Sequence, residues 1–238
     1  ADMGDYRGQV TDVDLALWRG AYRINGLEII KVDGKVPVPF VKAPLIDLAV
    51  SWHSLWYDHA VVAKVLFISP EVNFVDGGAN KQASQTGKGT DWREQLSKLA
   101  PITLDEVRIE NGKIAFHNFS SKPVVKIDAT DVNASFYNLT NVVDVKGRRD
   151  ARFDGKALLQ GQAPLEATAT FDPLSNFENF EFRFRAKDLQ LKRMNDFASA
   201  YGKFDFKAGT GDVVIEAQAE KGQLTGYIKP LMRDVEVF

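Results

Sequence analysis

Few residues in this chain could perform chemistry, and their spacing does not assemble a reactive site. The three histidines, His53, His59 and His117, lack the i, i+4 spacing of a helical metal site, so we expect structural roles for them. The chain has no cysteine, which excludes thiolate catalysis, disulfides and cysteine-based zinc sites. The Gly-Lys-Gly-Thr run at 87–90 departs from a phosphate-binding loop, in which Ser or Thr follows Gly-Lys directly. No Gly-x-Ser-x-Gly sequence supports a hydrolase nucleophile.

Acidic side chains are numerous but dispersed along the chain, without the spacing of a calcium-binding EF-hand loop. A carboxylate pair for glycoside hydrolysis is defined by its separation in space, so a glycan-directed enzyme stays an open alternative. We predict a protein without enzymatic activity, metal or cofactor. The aspartates considered are Asp128, Asp131, Asp144, Asp150 and Asp154.

Composition narrows the classes of partner. The 238 residues include 30 basic and 32 acidic side chains, a net charge of −2 that argues against nucleic acid. The absence of cysteine fits an oxidising compartment. No apolar run reaches the ~18–20 residues that span a bilayer. Because the chain begins without methionine, we expect a fragment from which a membrane anchor has been removed.

The elements that must position any site are read most clearly from residues 180–187. Phe180, Phe182, Phe184 and Ala186 alternate with charged residues, and side chains alternate between the two faces of a strand. This segment is therefore predicted to be a strand with one apolar and one wet face. Much of the chain repeats the pattern, which predicts a mostly β fold built on a large antiparallel sheet.

Two glycine-containing turns predict how strands pair. Asn111-Gly112 is typical of a type I′ hairpin, which would pair Ile109 with Ile114 and Val107 with Phe116. Lys221-Gly222 predicts a second hairpin, pairing Ala219 with Leu224 and Ile215 with Ile228.

Pro37 and Pro39 follow a third turn at Asp33-Gly34, and they predict an edge strand or a segment outside the sheet. Helical spacing predicts short helices at 91–99 and 192–201, so about two helices accompany the sheet. No linker divides the chain, and we predict one domain over 1–238. Further strands are predicted at 44–53, 60–68, 71–76, 124–138, 149–160 and 163–171.

The predicted apolar face is too large to be left uncovered. About ten strands at ~4.8 Å spacing, each ~20 Å long, give a face on the order of 1,000 Å². Soluble monomers rarely expose more than roughly 300–600 Å² of contiguous apolar surface. Two short helices cover roughly 300 Å². Either the sheet closes on itself as a sandwich or it curls into an open trough that holds an apolar ligand, and alternation alone fits both.

A series of short motifs extends in order over nearly the whole chain: L-W-R-G-A-Y-R-I-N-G-L at 17–27, K-V-D-G-K-V-P-V-P-F at 31–40, N-F-V-D-G at 73–77, D-W-R at 91–93, H-N-F-S-S-K-P at 117–123, N-L-T-N at 138–141, N-D-F-A-S-A-Y at 195–201, F-D-F-K-A-G-T-G-D at 204–212 and G-Y-I-K-P-L at 226–231. In these motifs the chain resembles bacterial envelope proteins of unknown function that are related to the AsmA-like proteins. The motifs contain no catalytic residues to transfer.

The resemblance implies an architecture and a location. AsmA-like proteins are typically anchored in the inner membrane by one N-terminal helix and project into the periplasm. Their periplasmic part is similar to a long curled β-sheet with an apolar groove, as in bridge-like lipid transfer proteins. The resemblance therefore implies a β-trough that binds or conducts phospholipid or another acyl-chain lipid between the inner and outer membranes.

Apolar residues of the predicted strands are the candidates for lining this groove, although each fits a closed core equally well. An alternative function is a periplasmic scaffold for outer-membrane biogenesis, which would bind an envelope protein through unpaired sheet edges. The groove candidates are Val107, Ile109, Ile114, Phe116, Phe180, Phe182, Phe184, Ile215 and Ile228.

Overall fold

A computed structural model shows a mostly β protein whose strands form a single curled sheet. The alternation predicted the large sheet, and the resemblance implied its curl. The structure describes residues 5–16, 20–33, 35–51, 53, 61–78, 83–86, 102–142, 150–175 and 178–238. The predicted helix at 91–99, the loop at 87–90 and His59 lie outside the described residues.

Thirteen strands, rather than the ten of the area argument, are present in the described part of the chain. From β7 to β13, each strand lies next to the strand that follows it in the sequence. The short strand β2 pairs with β3, and the short strand β6 pairs with both β4 and β7. The strands are β1 Tyr6–Gln9, β2 Asp12–Ala16, β3 Ala21–Lys31, β4 Val41–Val50, β5 Val61–Ile68, β6 Glu71–Val75, β7 Ile102–Asn118, β8 Val125–Thr140, β9 Ala151–Leu159, β10 Ala163–Phe171, β11 Phe180–Gln190, β12 Phe206–Glu220 and β13 Gln223–Val237.

The sheet is mainly antiparallel, but β5 and β6 both pair with β7 in parallel. Ser69 and Pro70 join β5 to β6 beside the middle of β7. The Ser69 N–H donates to the Glu110 carbonyl and the Lys113 N–H donates to the Pro70 carbonyl, each at 2.8 Å. The two short strands therefore follow β7 along its length, an arrangement that the purely antiparallel prediction did not include.

The hairpin predicted at Asn111-Gly112 is wrong, because both residues lie inside the continuous strand β7. Asn111 adopts the predicted left-handed φ of 52°, but the pairing of β7 with β8 shifts register on both sides of Gly112. A single left-handed residue with a register shift is a β-bulge, which bends the strand without reversing it. Asn111-Gly112 therefore correctly predicted a left-handed backbone at Asn111, but not that the strand continues through it.

The hairpin predicted at Lys221-Gly222 is confirmed. Both residues have positive φ, and Ala219 pairs with Leu224 while Ile215 pairs with Ile228. The proline-containing segment after Asp33 lies outside the strands until β4 begins at Val41, as its prolines predicted.

A helical segment, Leu191–Gly202, connects β11 to β12 near the predicted 192–201. It consists of a 3-10 turn at Leu191–Met194, one α-helical turn at Asn195–Phe197 and a π-helical turn at Ala198–Gly202. Leu191 and Ala198 pack against Phe206 in a small buried cluster. Among the described residues, no helix is long and apolar enough to cross a membrane.

Candidate functional site

The pairing register shows which side chains share a face, because residues directly opposite each other on neighbouring strands point to the same side. Followed strand by strand from β3 to β13, this register gives two adjacent rows that cross ten strands and contain only apolar residues and glycine. The first row is Ile24, Ile46, Phe67, Ile109, Ala134, Gly155, Ala167, Phe184, Ile215 and Ile228. The second row is Tyr22, Leu48, Val65, Val107, Phe136, Phe153, Ala169, Phe182, Ala217 and Gly226. We call the face that carries them the apolar face.

All nine groove candidates lie on the apolar face. Val107, Ile109, Phe182, Phe184, Ile215 and Ile228 belong to the two rows, and Phe180 follows Phe182 on the same side of β11. Ile114 and Phe116 reach this face by way of the bulge in β7. The pairing with β8 and β9 shows this. Ile109 pairs with Ala134, which pairs with Gly155, while Ile114 pairs with Ala129, which pairs with Leu159. Because Gly155 and Leu159 are four residues apart on the regular strand β9, they share a face, and so do Ile109 and Ile114.

Exposure of the apolar face is uneven: it is lowest at a cluster on β4 and β5, whereas Ile114 on β7 is 43% exposed. In the first row Ile46 is 5% exposed, Phe184 is half-buried and Ile228 is 70% exposed. Ile46 belongs to a buried cluster with Ala43 and Val65, against which Leu48, Phe67 and Val107 pack. In a closed sandwich the central rings of β11 would be fully buried, and they are not. The β9–β13 half of this face is therefore accessible.

The opposite face is charged, and many of its groups pair with one another. The corresponding row includes Arg23, Asp47, Arg108 and Asp154, with Arg23 donating to Asp47 at 2.8 Å. A cleft of about 580 Å³ lies here between β2 and β7. Its arginines are already bound, since Arg108 donates to Glu106 at 2.7 Å as Arg23 does to Asp47. These carboxylates raise the pKa of both guanidinium groups.

The Leu191–Gly202 segment borders one end of the apolar face. At its start, Leu191 packs against Gly211, so closely that a Cβ there would lie 3.2 Å from Cδ2 of Leu191. At its end, the Tyr201 hydroxyl donates to Asp76 at 2.7 Å and accepts from Nδ2 of Asn118 at 2.8 Å. The Tyr201 hydrogen bond holds the pKa of Asp76 below its usual range. The segment thus reaches from β12 to the ends of β6 and β7.

A buried polar cluster lies behind β6 and β7, on the side away from the apolar face. The Nε2 atom of His117 is 3.0 Å from Oδ1 of Asn73, whose Nδ2 donates to the Pro39 carbonyl at 3.1 Å. Gln85 is fully buried and donates to the Asn73 carbonyl at 2.9 Å. Burial, with Lys126 and Lys113 nearby, lowers the pKa of His117. His117 is therefore a structural, neutral histidine, as its sequence context suggested.

Among the described residues, no group of three or more His, Asp or Glu side chains could hold a metal ion. Sequence reasoning missed the exposure of the aromatic side chains of the helical segment: Phe197 and Tyr201 occur at helical spacing, which predicts one buried stripe, yet both are exposed. Lys192 and Lys203, which flank these aromatic residues in the sequence, were the signal from which their exposure could have been predicted.

Comparison with known proteins adds no assignment. A scan against protein-family models finds no family that matches the chain, and a search of curated proteins finds no match.

Proposed function

We propose that the apolar face binds the acyl chains of phospholipid, and that the protein is a non-enzymatic carrier or conduit for lipid. The observation that carries the proposal is the pair of apolar rows that continue across ten strands and whose members from β9 to β13 are all half-buried or exposed. An apolar surface of this extent that is open to solvent needs an occupant. Acyl chains lack polar groups and require no hydrogen-bonding partner on the protein, which fits rows without a polar side chain at their centre.

The resemblance to AsmA-like envelope proteins supports the cellular setting of this proposal. In that setting the domain resides in the periplasm, is held at the inner membrane by an N-terminal helix and passes lipid towards the outer membrane. The shape of the sheet is compatible with this role, because its rows run across the strands and give a sliding acyl chain a continuous apolar path.

Phe182→Asp is the variant that tests lipid binding. Phe182 is central in the accessible half, so a carboxylate there should abolish binding of acyl chains while the fold survives. Thr168→Asp is the matched control, since Thr168 is exposed on the charged face and pairs with Asp154 and Arg183. Native mass spectrometry and lipid extraction of the purified proteins should show phospholipid with the wild type and Thr168→Asp, and none with Phe182→Asp.

Circular dichroism of the same variants separates the competing explanations. If Phe182→Asp unfolds the domain, the face is a closed core and the proposal fails. A wild-type protein that carries no lipid and binds no fluorescent fatty acid also contradicts it.

A scaffold function has one observation in its favour, the strand β13, which pairs only with β12 among the described residues. This strand is exposed throughout its 15 residues. In an antiparallel hairpin, every second residue pair exchanges backbone hydrogen bonds, and Val213–Pro230 is one of the pairs that do not. The backbone nitrogen of Pro230 therefore points away from β12, so the missing N–H costs no hydrogen bond between β12 and β13. Proline and lysine at an edge are devices that oppose strand addition, and β13 contains Pro230 and Lys229. Photo-crosslinking from Thr225 in cells tests this alternative: a single protein adduct would support it.

A further inference from the structure

Three exposed aromatic side chains lie in the helical segment and the residues after it, beside the end of the apolar face: Phe197, Tyr201 and Phe204. Their exposed fractions lie between 39% and 44%. We call these three side chains the aromatic patch.

Direct contacts hold the aromatic patch together. The rings of Phe197 and Tyr201 lie 4.8 Å apart, and the ring of Phe204 lies over Gly202, where a Cβ would come within 2.5 Å of it. The Tyr201 hydroxyl links the segment to Asn118, and Oδ1 of Asn118 accepts from the backbone of Ser120 at 3.0 Å. The exposed rings are therefore built on a fixed framework and do not belong to a loose loop.

Basic residues predominate in the segments around the aromatic patch. Residues 118–126 and 191–207 contain six lysines and arginines and two acidic residues, and the Tyr201 hydroxyl binds one further carboxylate, Asp76. Lys126 and Lys207 lie near Asp128 and Glu236, at 3.6 Å and 3.3 Å. Within the described part of the chain, Lys122, Lys192 and Lys203 have no acidic group within 4.0 Å. Of the two acidic residues, Asp205 is bound by the Ser199 hydroxyl.

We propose that the aromatic patch docks on the surface of an anionic bilayer, with its rings at the level of the headgroups and its lysines on the lipid phosphates. Tyr and Phe at an interface with flanking lysines fit this surface, because the rings bury apolar area while each lysine is attracted by anionic lipid. A protein partner fits less well, since lysine is depleted in protein interfaces.

The location of the aromatic patch connects it to the proposed function. The helical segment that carries Phe197 and Tyr201 borders the apolar face, so docking would bring the end of that face beside the bilayer. In this respect the inference rests on the lipid-binding proposal, but docking is measured on whole vesicles and does not require lipid to enter the apolar face.

Vesicle sedimentation tests docking directly. Vesicles of phosphatidylcholine alone are compared with vesicles that also contain phosphatidylglycerol. The wild type should pellet with the anionic vesicles, and Phe197→Ser combined with Phe204→Ser should weaken that binding about tenfold or more, because each ring loses its apolar contact. Lys122→Ala combined with Lys203→Ala should weaken it about fivefold for each lysine, only with phosphatidylglycerol present.

The matched control removes two equally exposed apolar side chains from another surface. Tyr227→Ser combined with Leu231→Ser changes the charged face of β13, where both side chains are comparably exposed, and should leave vesicle binding unchanged. The proposal is overturned if the wild type stays unbound with both vesicle types, if the patch variants bind like the wild type, or if the β13 control loses binding equally. The lysine variants keep the test decisive should the phenylalanine variants unfold.

Failure of docking is distinguishable from failure of lipid binding by the apolar face. Phe182→Asp should still pellet with anionic vesicles although it carries no lipid, and the patch variants should still copurify with lipid. Loss of docking in Phe182→Asp would overturn the assignment of docking to the aromatic patch.

Discussion

The β3–β7 half and the β9–β13 half of the apolar face are built from the same alternation but differ in packing. In the first half Ile46 and Val65 are buried and contact large neighbours such as Leu48 and Phe67. In the second half Phe182 and Phe184 stay partly exposed, and Ile228 at the edge is mostly exposed. One face thus contains a buried cluster on β4 and β5, and rows from β9 to β13 whose members are all half-buried or exposed.

Side-chain size along the rows accounts for part of the difference. On β10 and β12 the second row contains Ala169 and Ala217, on either side of Phe182. These small residues leave the ring of Phe182 without a large cross-strand neighbour. On β4 and β5 the same row contains Leu48 and Val65, which cover each other. The lesson is that alternation decides the face, whereas the size of cross-strand neighbours decides whether that face is closed.

The largest expected difference between the halves comes from one substitution made twice in the same row. Ile46→Ala removes a buried side chain and should lower the free energy of unfolding by about 2–4 kcal/mol. Ile228→Ala removes a side chain that is mostly in water, and should change it by less than about 0.5 kcal/mol. Urea unfolding followed by circular dichroism measures both. Equal losses would mean that the two halves are packed alike, and the comparison would fail.

A smaller difference is expected when a methyl group is added to each half. Gly112→Ala places a Cβ 2.9 Å from Cγ2 of Ile109 and 3.4 Å from Pro70, in a region confined by β6 and β7. We expect a loss of about 2 kcal/mol, typical of overpacking. Gly155→Ala places its Cβ 2.7 Å from Cζ of Phe153, a half-buried ring that we expect to shift towards the accessible side. That variant should lose less than about 1 kcal/mol. A greater loss for Gly155→Ala in urea unfolding would show that the second half is rigidly packed.

The alternation of the sequence was sufficient to predict the strands of the open half. Residues 163–171 and 180–187 alternate cleanly, and the structure has strands over both. The hairpin at Lys221-Gly222 was also predictable, because β12 and β13 are consecutive strands that pair directly and both turn residues have positive φ. Local chemistry and tertiary pairing agree in this region.

The arrangement around β7 could not be predicted from local chemistry. Asn111 adopts a left-handed φ in a hairpin turn and in a bulge alike, so Asn-Gly does not distinguish the two. The choice is made by distant partners: β5 and β6 pair with one edge of β7, and β8 pairs with the other. A hairpin at this point would have given up one of those edges. Ile109 and Ile114 still share a face, although residues an odd number of positions apart lie on opposite faces of a regular strand. The bulge adds one residue to β7, which returns the side chains after it to the face that a two-residue turn would also have given them.

The packed half also contains a buried titratable group, which the open half lacks among its described residues. His117 is 8% exposed, and burial followed by the charges of Lys126 and Lys113 lowers its pKa, while Glu71 and Asp128 act in the opposite direction. The folded protein therefore takes up a proton on His117 at lower pH than the unfolded chain, whose histidines titrate near ~6.5. The stabilising contribution is complete above that pH and decreases as the pH falls through it towards the folded pKa.

The smallest expected effect is consequently a pH dependence that belongs to the packed half. Between about pH 7.5 and pH 5.5, on either side of the unfolded pKa, the urea midpoint of the wild type should fall. His117→Gln should fall less, because glutamine donates to Asn73 but takes up no proton. His53→Gln changes an exposed histidine and leaves His117 in place, so it should keep the wild-type dependence. A His117→Gln profile parallel to the wild type would mean that the buried ring titrates alike in both states. The burial of the packed half would then not extend to His117, and the contrast between the halves would be confined to the apolar face.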